Sequence, residues 1–144
     1  MKYENEVYDF VNSFDLLSKS FLAEWEKKFN RLSIKCILVL SELNEKGPLM
    51  VSTLAKLLHI TPAAVTGISN HLFKGNYITR SRDTNDRRVL FLDITEEGKN
   101  ILSEAAEIST YFRERMYELL SEDEVKNLQN ITKKLISNPI KVDK

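Results

Sequence analysis

The sequence predicts a mainly helical chain that contains one small β-hairpin. Apolar residues recur at helical spacing along most of its length, and strand-like residues are confined to positions 77–94. Only 4 glycines and 3 prolines interrupt the 144 residues, which argues against a fold with many turns. A hydrophobic fraction of 42% and a charged fraction of 29% indicate a globular chain of one ordinary domain extended by helices.

Several classes of protein are disfavoured by composition. The longest run of aliphatic residues is Ile37–Leu40, so we expect neither a membrane span nor a signal-peptide core, and we expect a soluble, cytoplasmic protein. A single cysteine excludes an internal disulfide, and with two histidines it makes a structural zinc site unexpected. We therefore expect no metal and no cofactor.

The N-terminal segment, residues 4–29, predicts one long helix with an aromatic stripe. Neither proline nor glycine interrupts it. At this spacing the stripe is by default core or dimer interface, and the alternative is the lining of an effector pocket. The apolar positions are Val7, Phe10, Val11, Phe14, Leu17, Phe21, Trp25 and Phe29.

Two shorter helices follow. Ser33 is a candidate N-cap for the first, which ends at Gly47-Pro48. Positions 49–58 predict a second short helix. Met50 offers no hydroxyl or carboxylate to cap it, so we expect a weak start.

Thr61-Pro62 marks a strong helix start, because a capping hydroxyl precedes a proline at the first helical position. The helix is expected to bury Val65, Ile68 and Leu72. It ends near Gly75-Asn76, where one residue should adopt the left-handed conformation.

A β-hairpin is predicted next, from strands at 77–80 and 89–94 around the turn-prone segment 82–86. Thr95 then caps a long helix. Ser121 and Glu124 form a capping box for the last helix, and Pro139 lies beyond its end. The long helix carries Ile101, Leu102, Ala105, Ile108, Phe112 and Leu119, and the last one Val125, Leu128, Ile131 and Leu135.

This order of elements predicts a winged helix-turn-helix, in which the helix from Pro62 to Lys74 enters the DNA major groove and the hairpin reaches backbone or minor groove. Asn70 can pair with adenine, the methyl of Thr66 can meet thymine, and Lys74 can meet a phosphate. Gly67 permits close backbone approach, or is merely a tolerated surface glycine. The candidate DNA-binding residues here are Thr61, Ala63, Ala64, Thr66, Gly67, Asn70, His71 and Lys74.

Charge is distributed unevenly although the net charge is zero. Residues 61–92 carry five basic and two acidic side chains, whereas residues 93–144 carry eight basic and eleven acidic ones. A basic middle suits a polyanion, although an imbalance of this size also arises by chance.

Four stretches together resemble the MarR family of transcriptional regulators: 32–43, Leu54-Ala55, 85–88 and 94–98. The resemblance implies a homodimer, with residues 1–30 and 96–138 as the dimerisation region and 32–95 as the DNA-binding lobe. It also implies an Arg in the minor groove, oriented by Asp. The candidates are Arg88 and Arg87, with Asp86 as the orienting group; the alternative is a solvated ion pair.

The resemblance further implies a small aromatic or anionic effector. We expect its pocket near Phe21, Trp25, Cys36 and Tyr111. Some members sense oxidants through a cysteine, but Cys36 lies on an apolar stripe, which favours a buried thiol.

The sequence thus predicts a DNA-binding transcriptional regulator, a repressor by resemblance, that acts as a homodimer on a pseudo-palindromic operator. The alternative is a winged-helix interaction module that does not bind DNA. The sequence shows no nucleophile–base pair and no phosphate-binding glycine loop, so we do not expect an enzyme.

Overall fold

A computed structural model describes residues 3–138, which contain six helices and three strands. Pro139, expected beyond the last helix, lies outside the described residues. The described chain divides into two compact units, one up to Ile108 and one from Ser109. The elements are α1 (Glu4–Lys28), α2 (Ile34–Lys46), β1 (Leu49–Met50), α3 (Val51–Leu58), α4 (Pro62–Lys74), β2 (Ile78–Arg82), β3 (Leu90–Ile94), α5 (Glu96–Leu119) and α6 (Glu122–Ser137).

The core of the first unit joins helices α2, α3, α4 and α5 to the sheet. Leucine is its most frequent residue type, because an unbranched Cβ suits helices and the bulk of the side chain fills the space between elements. These side chains are almost completely shielded from solvent: Leu40, Leu43, Leu54, Leu72, Ile78, Leu92 and Ile101.

The sheet has three antiparallel strands in the order β1-β3-β2, rather than the two of the expected hairpin. The prediction of helix from position 49 was therefore wrong at Leu49 and Met50, which pair with Leu92 and Phe91 of β3. Two residues are too few to show a period of two, and their partner strand lies about forty positions away in the sequence.

The hairpin is confirmed with shifted ends. Strand β2 extends to Arg82, and β3 starts at Leu90, because Val89 belongs to the turn, where its N–H donates to the Asp86 carbonyl. At the start of the hairpin Asn76 has φ +61°, which confirms the left-handed residue expected there.

Gly98 fixes how α5 leaves the sheet. A Cβ at this position would lie 2.4 Å from the Tyr77 carbonyl oxygen and 2.6 Å from Cγ1 of Ile94. Only a glycine permits this approach, so the helix start packs directly on the strand before it.

The predicted helix caps are confirmed. Ser33 accepts from the Cys36 N–H, Thr61 from the Ala64 N–H and Thr95 from the Gly98 N–H. Ser121 and Glu124 form the complete capping box. At the start of α3, Met50 makes no side-chain cap bond, as expected.

The aromatic stripe of α1 divides into two parts. Trp25 and Phe29 are buried, and their rings meet edge to face at a centroid distance of 5.7 Å. Nearer the N-terminus, more than half of the surface of Phe10 and Phe14 is exposed. In the second unit, α6 has no buried residue.

No single helix within residues 3–138 is long and apolar enough to cross a membrane. Helices α3 and α4, which are bent by 112° relative to each other, have together the length and apolar composition of a membrane span.

Candidate nucleic-acid interface

Helix α4 presents the polar outer face that the sequence predicts. Its inward side buries Val65 and Leu72, together with Ser69, whose hydroxyl donates to the Thr66 carbonyl. Ile68, expected inward, is half-buried. The predicted contact residues Ala63, Thr66, Gly67, Asn70, His71 and Lys74 are all exposed, and Ala64 is half-buried.

The first turn of α4 has a backbone N–H donor that is available to a ligand. Pro62 has no N–H, the Ala64 N–H donates to the Thr61 hydroxyl at 3.1 Å, and the Val65 N–H donates to the Thr61 carbonyl. Ala63 is exposed, and its backbone N–H has no hydrogen-bond partner within residues 3–138. A helix N-terminus with an open N–H is suited to an anion.

Thr66 and Gly67 make the middle of this face small. The Thr66 hydroxyl donates to the Pro62 carbonyl at 3.0 Å, so its methyl is the group left for an external contact. A Cβ built on Gly67 meets nothing within 4 Å. No internal packing therefore requires a glycine here.

The hairpin turn holds Asp86 and Arg88 together. The Asp86 carboxylate accepts from the Arg88 backbone N–H at 3.0 Å, from its Nε at 3.1 Å and from its Nη2 at 3.3 Å. These bonds hold the pKa of Asp86 below its usual range, chiefly through the side chain and also through the backbone N–H of Arg88. The Arg88 side chain remains 91% exposed.

Two further cations lie beside this pair, Arg87 in the turn and Arg82 at the end of β2. Arg87 is exposed, and its carbonyl accepts from Nη1 of Arg82 at 2.8 Å. Arg82, Asp83, Thr84 and Arg87 line a surface depression of about 350 Å³. Arg82 thus fixes the backbone beside the exposed arginines.

The sequence of this chain is similar to those of known proteins. Residues 32–90 match the MarR family model. The chain is 34% identical over 99 residues to the HTH-type transcriptional repressor MdtR of Bacillus subtilis, covering 69% of this chain and 64% of that protein. It is 29% identical over 133 residues to the HTH-type transcriptional regulator SarZ of Staphylococcus aureus, covering 90% of this chain and 86% of that one.

This chain belongs to the MarR family. Its fold also matches a mutant E. coli MarR solved in complex with operator DNA, with a TM-score of 0.82 over 91% of this chain and 96% of that one, at 18% identity. The mainly helical fold class, with a small antiparallel sheet and flanking N- and C-terminal helices, is confirmed. A family of transcriptional regulators also agrees with the expectation that the protein is not an enzyme.

The predicted effector residues of this MarR-family chain have different surroundings. Trp25 and Cys36 are buried, and the Ser33 hydroxyl donates to the Cys36 thiol at 3.3 Å, as the buried-thiol interpretation expects. Phe21 is 36% exposed. Tyr111 belongs to the second unit, where its ring lies 5.6 Å from that of Phe112.

Tyr111 lines a depression of about 280 Å³ whose other walls are Glu114, Arg115 and Glu118 of the same helix. Trp25 Nε1 is buried without a hydrogen-bond partner in the described chain. Among the described residues no group of three or more His, Cys, Asp or Glu could hold a metal ion.

Sequence reasoning missed one functional candidate of this MarR-family lobe, Arg80. From the sequence, Arg80 is one of five basic side chains in residues 61–92 and lies at the end of the first predicted strand. In the structure its guanidinium reaches α4 and donates to the side chain of Asn70. The available signal was the alternation Ile78, Arg80, Arg82, which places the three side chains on one face of β2.

Proposed function

We propose that this MarR-family regulator represses transcription as a homodimer bound to a pseudo-palindromic operator, from which a small aromatic or anionic effector releases it. One observation carries the proposal. The exposed polar face of α4 and the exposed Arg88, held by Asp86, belong to the same lobe. An interaction module would instead favour an apolar outer face.

In the proposed complex, α4 lies in the major groove. The open Ala63 N–H binds a phosphate at the helix start, and Lys74 binds another at its end. Asn70 contacts a base edge. Because Thr66 and Gly67 are small, the helix backbone approaches the bases closely.

The hairpin is proposed to reach the minor groove. Arg88 enters where the groove is narrow and its potential most negative, while Arg87 neutralises a neighbouring phosphate. Asp86 holds the guanidinium of Arg88 before binding, which reduces the side-chain entropy lost on contact.

The homodimer is proposed from the apolar surface that a single chain leaves exposed. Phe10 and Phe14 of α1 and Ile131 and Leu135 of α6 are each more than half exposed. Two-fold pairing would remove this surface from water and place two α4 helices one turn of B-DNA apart, about 34–36 Å.

The effector is proposed to bind near Trp25. Its buried Nε1 has no hydrogen-bond partner within residues 3–138, and an indole N–H of this kind is a donor suited to an anionic ligand. The family resemblance supplies Phe21, Cys36 and Tyr111 as the other candidates.

The test begins with retention of fragmented genomic DNA by the purified full-length chain, followed by sequencing. We expect one or a few fragments that contain an inverted repeat, with half-sites about one helical turn apart. In vitro transcription from the retained promoter should fall when the protein is added and recover with an effector such as benzoate. Retention without sequence preference, or none, would favour the interaction module. A rise in transcription would overturn the repressor assignment.

A further inference from the structure

Arg80 connects the hairpin to the recognition face of α4. Its Nη2 donates to Oδ1 of Asn70 at 2.5 Å, and its Cζ lies 4.5 Å from the centre of the Phe73 ring. Its Nε is buried and has no hydrogen-bond partner in the described chain. The guanidinium is therefore held between an aromatic ring and an amide.

The strand explains why this cation is fixed. Arg80 follows two residues after Ile78, which is 2% exposed, so both side chains lie on the same face of β2. The strand pairing sets Arg80 opposite Leu92, which is fully buried. The Arg80 side chain thus starts at the edge of the core, and its cation–π contact with Phe73 stabilises its position.

The hydrogen bond determines what Asn70 offers to DNA. An amide side chain carries one acceptor oxygen and one donor NH₂ group, whereas a guanidinium carries donors alone. The atom of Asn70 that faces Arg80 must therefore be the oxygen. The NH₂ group is then the part of Asn70 without an internal partner.

This assignment changes the base that Asn70 is expected to contact. A bidentate contact to adenine requires the amide oxygen to accept from N6 while the nitrogen donates to N7. Guanine presents two acceptors, N7 and O6. The oxygen keeps a second lone pair, but the guanidinium bound to it is a cation that attracts the O6 acceptor of guanine and repels the N6 donor of adenine, so the pair favours guanine.

We propose that Arg80 is a positioning residue that fixes the Asn70 amide as a donor, so that α4 selects guanine over adenine at the base facing Asn70. The proposal rests on the proposed function, because it requires α4 to read DNA. Phe73 supports the same arrangement by holding the guanidinium.

The experiment is selection of bound sequences from a randomised duplex pool by the full-length protein. The base position that Asn70 contacts is the one that loses its base preference in the Asn70→Ala variant. Arg80→Met removes the donors and keeps a long apolar stem. Arg82→Met is the matched control, since it removes one charge from the same face of β2, where the Arg82 guanidinium donates to the Arg87 carbonyl. Melting curves establish that each variant is folded.

The wild-type chain should select guanine at the position identified with Asn70→Ala. Arg80→Met should lower the guanine-to-adenine ratio there by about fivefold or more, the lower end of the discrimination that one base contact supplies. Arg82→Met should keep the ratio while weakening overall affinity. If Arg80→Met does not fold, Phe73→Leu should lower the same ratio by releasing the guanidinium.

Two other results separate this inference from the proposed function. If the wild type selects a motif but Arg80→Met and Phe73→Leu leave the ratio unchanged, or the wild type prefers adenine, the role of Arg80 is overturned and DNA recognition stands. If the wild type selects no motif, the proposed function itself fails and the inference fails with it.

Discussion

At the tip of the hairpin, the Asp86 carboxylate accepts three hydrogen bonds from Arg88, while most of the guanidinium surface remains in water. An ion pair so exposed contributes little to folding stability, because solvent screens it. Its effect is on conformation: it restricts a long cationic side chain before any partner arrives.

Arg88→Ala should weaken operator binding strongly and make its salt dependence shallower. Each lost contact to DNA phosphate reduces the slope of log affinity against log salt by about one. The loss should be larger on operators with A·T-rich flanks, where the minor groove is narrow. Fluorescence anisotropy over a range of salt concentrations measures both quantities.

Asp86→Ala serves as the comparison and should act in the same direction but less, since it removes only the orienting group. Thermal melting of both variants controls for loss of the hairpin. Unchanged affinity and slope in a folded Arg88→Ala variant would contradict a DNA-contacting wing.

The pKa of Asp86 should be found below its ordinary range in a carboxyl NMR titration, because Arg88 donates to the ionised form. A lowered pKa means that the interaction is fully present above the ordinary Asp value of about 3.9 and is lost as pH falls through the lowered pKa. Near neutral pH the pair is therefore intact.

Arg88→Ala should raise that pKa only part of the way, since the backbone N–H at position 88 still donates. Arg87→Ala is the control and should leave it low. An Asp86 pKa in the ordinary range in the wild type would show that the pair does not persist in solution.

At the scale of single elements, helix α4 has a well-capped start but carries a glycine in its interior. Its start is capped by Thr61 and Pro62, yet Gly67 occupies its interior on the exposed side. Glycine in a helix interior costs about 1 kcal/mol relative to alanine. Since a Cβ there meets nothing within 4 Å, internal packing does not explain it.

Gly67→Ala should therefore raise the free energy of unfolding by up to about 1 kcal/mol and at the same time weaken operator binding. The added methyl would separate the helix backbone from the bases. Urea unfolding and anisotropy titration measure the two effects. Ser103→Ala, at an exposed position of α5 outside the proposed interface, is the control and should leave operator affinity unchanged. A stabilised variant with undiminished affinity would show that Gly67 is a tolerated surface residue.

For the molecule as a whole, exposed apolar surface is the dominant unexplained feature. The first half of α1 and the length of α6 expose large aliphatic and aromatic side chains. Surface of this kind on helices marks an interface. A second copy of the chain is the partner that a two-fold pairing of these helices would require.

Sedimentation should therefore show a homodimer at micromolar concentration. The double variant Phe10→Glu/Phe14→Glu should sediment as a monomer and lose operator affinity, because charges on this stripe oppose burial. Asn5→Glu/Asn12→Glu adds the same charges to the polar side of the same helix and should remain dimeric. A monomeric wild type would contradict the dimer.

The sequence determined the helices, their caps and the hairpin of this MarR-family protein. These features depend on interactions within a few residues, such as Ser33 with Cys36 or Ser121 with Glu124. It also identified the exposed face of α4, because helical period is a local property, and its resemblance to the MarR family implied the Asp86–Arg88 pair.

Tertiary structure decided what depends on distant partners. Strand β1 forms because Leu49 and Met50 pair with β3. Arg80 donates to Asn70 because the chain turns back toward α4 as it enters the sheet. The two residues of β1 are too few to leave a periodic signal, and the alternation in β2 gives the face on which Arg80 lies but not the residue that this face contacts. In the same way, the sequence showed the apolar stripe of α1 as continuous, and only the packed chain separated its buried Trp25 and Phe29 from its exposed Phe10 and Phe14.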